Sequence, residues 1–76
     1  MTVKLFDTVV LKKDLPEKGL KCGDIGAVVE IYEPGGIEVE FVVGSGKTQA
    51  LVTLKTTDVR AIADTEILAV RSLNAA

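Results

Sequence analysis

At 76 residues the chain has room for one domain with a modest core, since a chain this short buries only about 60–65% of the surface its unfolded state exposes. A hydrophobic content of 47% argues against disorder, yet no apolar run approaches the roughly 18 residues that a membrane-spanning helix needs. A net charge of −2 and the absence of histidine speak against phosphate-driven nucleic-acid binding and remove the commonest general base and metal ligand.

The first segment, Met1 to Asp7, carries Lys4 and Asp7 where an export signal would be apolar, so a cytoplasmic protein is expected. Phe6-Asp7-Thr8-Val9-Val10-Leu11 is rich in β-branched residues and predicts a strand. A long polar loop follows, Lys12 to Asp24, which holds Pro16, Gly19 and Gly23. Ile25 to Tyr32 and Ile37 to Val43 then predict a hairpin, the second run alternating with period two.

Between those runs stands Glu33-Pro34-Gly35-Gly36. It suits a type I turn with Pro34 at the first central position and Gly36 in the left-handed region. The register that results puts Ile31 opposite Val39 and Val29 opposite Phe41 on the core side, and Tyr32 opposite Glu38 outside. Gly44-Ser45-Gly46-Lys47 is the next turn, before a strand from Thr48 to Leu54 whose Ala50, Val52 and Leu54 share the core face. Lys55 to Asp58 reads as one helical turn and Val59 to Ile62 as a last short strand. Five short strands in this order predict an all-β fold, a small SH3-like barrel over residues 1–62.

From Ala63 to Ala76 the composition shifts to helix formers, with Ile67, Val70 and Leu73 at helical spacing behind Asp64-Thr65-Glu66. A short C-terminal helix is expected here, with an extra strand or a segment swapped between copies as the rival readings. Ile67, Leu68, Val70 and Leu73 are more apolar than a solvated terminus requires, which points to self-association as a homodimer. The single cysteine, Cys22, can form no internal disulfide, so the domain must rely on its core or on a second copy.

Several motifs invite chemistry. Gly44-Ser45-Gly46-Lys47-Thr48 resembles the end of a phosphate-binding loop, but Phe41 stands where that pattern needs its first glycine and a strand follows where it needs a helix. A hairpin turn is the better account. Cys22 beside Lys21 has no second cysteine or histidine to complete a reactive site. The glycines of Gly23-Asp24-Ile25-Gly26 serve positive φ or a close crossing at a barrel corner. In the long loop, Leu15 and Leu20 cap the barrel, and the scarcity of aromatic residues disfavours a polyproline groove.

The outward hairpin face is more suggestive. Glu30, Tyr32, Glu38 and Glu40 share it, with Glu30 opposite Glu40, a like-charge pair that costs stability unless something offsets it. Interleaved lysines such as Lys47 or Lys55 would do so, as would screening by salt. The sharper alternative is a basic partner surface received by these four residues.

Leu5 to Leu11, Asp14-Leu15-Pro16-Glu17, Gly19-Leu20, Gly23-Asp24-Ile25-Gly26, Val28 to Glu33, Glu38 to Phe41 and Ala50 to Leu54 together resemble a family of short bacterial domains of unknown function, many of them cyanobacterial. The resemblance covers residues 3–62 and implies the SH3-like fold rather than an activity. More distantly the layout resembles KOW-type modules, small photosystem and ferredoxin-docking subunits and the nitrile hydratase beta-subunit barrel. The basic surface of the first group and the cluster ligands of the others are missing here.

The expectation is therefore a non-catalytic protein-interaction or accessory module, such as one component of a two-gene pair. The alternative is a KOW-like module associated with nucleic acid. No catalytic residue, metal site or cofactor is expected. A salt-dependent complex with nucleic acid would favour the alternative, and retention of one basic protein partner the first reading.

Overall fold

The computed structural model of the chain describes residues 2–73. Five antiparallel strands form one sheet: β1 (Thr8–Leu11), β2 (Ile25–Tyr32), β3 (Gly36–Val42), β4 (Thr48–Lys55) and β5 (Val59–Ala61). Their order across the sheet is β4-β3-β2-β1-β5. The long loop between β1 and β2 contains a single 3-10 turn at Pro16–Lys18, and a second, Thr56–Asp58, joins β4 to β5.

Strand β2 belongs to both halves of the sheet. Its first residues pair with β1 (Thr8 with Ala27, Val10 with Ile25), and its remainder pairs with β3 (Glu30 with Glu38, Ile31 with Ile37). Between Val28 and Glu30 the register shifts by one residue. Such a bulge bends the strand and sharpens its twist, which lets β2 turn the corner from one half to the other.

The buried core draws Val9 and Leu11 from β1, Val28 from β2, Ile37, Val39 and Phe41 from β3, Val52 and Leu54 from β4, and Val59 from β5. Leu20 reaches in from the long loop. No helix covers this face among the described residues, so the sheet can bury it only by coiling over itself. Closure through a β4 to β5 ladder is not made among the described residues. Those strands are the two edges and are linked only by the turn at Thr56–Asp58.

Gly26 lies at a close crossing of the chain. A Cβ there would lie 2.6 Å from Val39 Cγ1 and 3.0 Å from the Glu40 carbonyl oxygen, so only glycine fits under β3. Gly23, at φ 98°, supplies the other half of the expected bracket by taking the left-handed turn before β2.

Three sequence expectations change. The hairpin register is shifted: Tyr32 faces Gly36 and Ile31 faces Ile37, so Glu30 stands opposite Glu38 rather than Glu40. The Glu33–Pro34 peptide is cis and Gly35, not Gly36, has positive φ, which replaces the expected type I turn. Because of the bulge, Val28 and not Val29 fills the core.

A fourth correction concerns the tail. Residues 63–73 form neither a helix nor a strand, and the expected segment's last residues, 74–76, lie outside the described range. A helix this short is marginal in water unless its apolar face packs on something, and Ile67 and Val70 are 91% and 101% exposed. Helical spacing is present without a surface to receive it.

Candidate functional site

The strand alternation puts Ile37, Val39 and Phe41 inside, so Glu38 and Glu40 point outward from β3 with Leu51 and Thr53 beside them on β4. Glu30 and Tyr32 join them from β2. The four hairpin residues expected from the sequence as a partner site thus share one face. The structure adds Leu51 and Val42, which are 53% and 57% exposed.

The carboxylates are held by hydroxyls rather than by lysines. Thr53 Oγ1 donates to Glu38 Oε1 at 2.6 Å, and Thr48 Oγ1 donates to Glu40 Oε2 at 2.6 Å. Glu30 accepts from the Ile31 backbone N–H at 3.1 Å. Ion pairs among the described residues lie elsewhere: Lys13 with Asp58, Arg60 with Glu66 and Arg71 with Asp24. The expected offset by Lys47 or Lys55 is therefore absent among them. Lost hydration raises the Tyr32 phenol above its ordinary pKa, and the negative charges of Glu38 and Glu30 raise it further.

A second surface lies at the end of the sheet, under the tail. Arg71 reaches back to the β1–β2 loop, with Nε 2.7 Å from Asp24 Oδ1 and a terminal nitrogen 2.6 Å from Oδ2 and 3.0 Å from the Gly19 carbonyl oxygen. This fork lowers the Asp24 pKa first through its hydrogen bonds, against a partial desolvation. Nearer β5, Arg60 makes a like fork on Glu66, both contacts at 2.7 Å. Sequence reasoning marked the tail's aliphatic residues and missed both arginines, because their partners stand 6 and 47 positions away.

Phe6 was also not legible as a surface feature. It adopts φ 70°, a left-handed backbone that is costly for a residue with a Cβ, and the residue is 72% exposed. Its N–H donates to the Val28 carbonyl oxygen at 2.6 Å, which anchors the approach to β1. Cys22 is exposed, and its backbone N–H is bonded to Asp14 Oδ1 at 2.8 Å. No cluster of three metal-ligating side chains occurs among the described residues.

The class defined by this architecture is a small all-β domain built on one coiled five-stranded antiparallel sheet. Within that class the chain belongs to the family described as Domain of unknown function (DUF4926), which it matches over residues 5–61. No curated protein and no solved structure matches it. The family match ends with β5, so the arginine-held tail lies outside the matched residues.

Proposed function

We propose that the chain is a non-catalytic protein-interaction module, one component of a two-protein pair, and that its outward hairpin face receives a basic surface of the partner. The observation that carries this reading is the Glu30 to Glu38 pairing, two carboxylates directly across a ladder with no cation to offset them among the described residues. Like charges in that position cost stability, and a partner's lysines or arginines would remove the cost on binding. The threonine bonds hold Glu38 and Glu40 in place before the encounter, which lowers the ordering entropy of the complex. Tyr32, Leu51 and Val42 supply the apolar area that charge alone lacks.

The test is affinity purification from the native host with wild-type chain and with the Glu30→Lys/Glu38→Lys variant, both confirmed as folded. One basic protein should be retained by wild type at about 0.15 M salt and lost from the variant. Equal retention by both would overturn the reading. A shift of DNA or RNA mobility that steepens as salt falls would favour a nucleic-acid-associated module instead.

A further inference from the structure

The fork that holds Arg71 is built by residues of the β1–β2 loop, not of the tail. Gly23 turns the chain at positive φ, and the Asp24 carboxylate accepts the Lys21 N–H at 2.8 Å while the Asp24 backbone bonds both Lys21 and Leu11. Gly19, at φ 71°, closes the 3-10 turn and leaves its carbonyl oxygen facing the same space. Leu20, Ile25, Phe41 and Val43 form one apolar wall of a cleft of about 760 Å³, and the tail's residues 68–73 form the other. A carboxylate and a carbonyl set beside an aliphatic trough match a planar guanidinium on an extended chain, whereas an ammonium would satisfy only part of the fork.

The guanidinium seated in the fork here is the chain's own, from Arg71. The aliphatic side chains that flank it are poorly buried. Leu68 and Leu73 remain 63% and 43% exposed, and Val70 faces solvent entirely. The root of the tail is fixed separately: Arg60 holds Glu66, whose Oε1 also accepts the Ala63 N–H at 2.7 Å. Residues beyond Glu66 contribute no side chain to the core, which contains no residue after Val59.

We propose that this groove is a docking site for an extended segment of a partner protein that carries an arginine between aliphatic side chains, and that the chain's own tail masks it in cis. The site meets the hairpin face at Val42, but its fork on Asp24 and Gly19 does not depend on that face. A partner segment whose aliphatic side chains enter the trough displaces the tail by exchanging one guanidinium for another and adding apolar burial. Until then the tail lowers the apparent affinity by the fraction of time the groove is open.

The test uses full-length chain and a fluorescent peptide copying residues 66–73. The Arg71→Gln chain, whose tail is released, should bind the peptide about tenfold or more tightly than wild type. Replacing the peptide's arginine with glutamine, or adding Asp24→Asn to the chain, should abolish the gain; Asn keeps an oxygen for the Lys21 N–H. Arg71→Lys, which retains the charge but not the fork, should also release the groove, and it provides a second chain should Arg71→Gln lose its fold. Equal binding to wild-type and released chains, no binding to either released chain, or binding indifferent to the peptide's arginine overturns the proposal. A wild-type dimer that dissociates on Arg71→Gln would show a second copy's tail in the groove, and overturns it too.

Discussion

Gly26 and Val39 meet where the two halves of the sheet cross, close enough that a methyl group on Gly26 would stand 2.6 Å from Val39 Cγ1. Phe41 Cε1, at 2.9 Å, and the Glu40 carbonyl oxygen, at 3.0 Å, close the other sides. Gly26→Ala should therefore destabilise the fold by about 1–3 kcal/mol through overpacking, since a backbone oxygen and two core side chains must all move. Urea denaturation measures this, and a loss below about 0.5 kcal/mol would mean that the crossing is looser than described.

The bulge in β2 makes neighbouring valines unequal. Val28 is fully buried opposite Val39, while Val29 is the extra residue of the bulge and is only partly buried. Val28→Ala should cost about 2 kcal/mol and Val29→Ala clearly less. The reverse order in thermal or urea unfolding would restore the simple alternation expected from the sequence.

Glu30→Lys converts the Glu30 to Glu38 pair from repulsive to attractive, and it should stabilise the isolated chain by about 0.5 kcal/mol even as it weakens binding of a basic partner. The gain should shrink in about 0.5 M salt, where surface charges are screened. A variant both less stable and salt-indifferent would show that the pair does not interact.

The Glu66 carboxyl is lowered from 4.5 to about 2, chiefly by its hydrogen bonds from Arg60 and then by the Ala63 N–H. A depressed folded-state value means that the clasp contributes fully above the unfolded carboxyl's pKa and is lost as pH falls through about 2. In an NMR titration the Ala63 amide shift should hold steady through pH 4 and move only near pH 2. Movement centred near 4.5 would place Glu66 in free solvent.

Phe6 keeps a Cβ in the left-handed region while its ring contributes nothing to the core. Phe6→Gly should leave stability unchanged or raise it by up to about 1 kcal/mol, relief of strain offsetting the greater chain entropy of glycine. Phe6→Ala keeps the strain and should show no such gain. A clear loss in Phe6→Gly, seen as a lower Tm, would mean that the exposed ring packs more than its exposure suggests.

Much of the fold was legible because it depends on periodicity and turn chemistry, which are local. Alternation in Ile37 to Val43 placed Ile37, Val39 and Phe41 inside and Glu38 and Glu40 outside, and Lys55 to Asp58 marked the turn between the last two strands. The same parity gathered Glu30, Tyr32, Glu38 and Glu40 on one face. Gly23 and Gly26 were identified as a corner, though not which of them turned the chain and which let β3 pass.

What the sequence determined by itself was thus the all-β class, the five strands and the sidedness of the hairpin, all set by neighbours a few positions apart. The tertiary structure alone decided the bulge that exchanges Val28 for Val29, the pairing of Glu30 with Glu38, and the extended tail in place of a helix. Each of these is a competition among contacts distant in sequence. The tail shows it most clearly: Ile67, Val70 and Leu73 have helical spacing, yet its course is fixed by guanidinium forks from Arg60 to Glu66 and from Arg71 to Asp24. No periodicity records a charge pair across 47 positions.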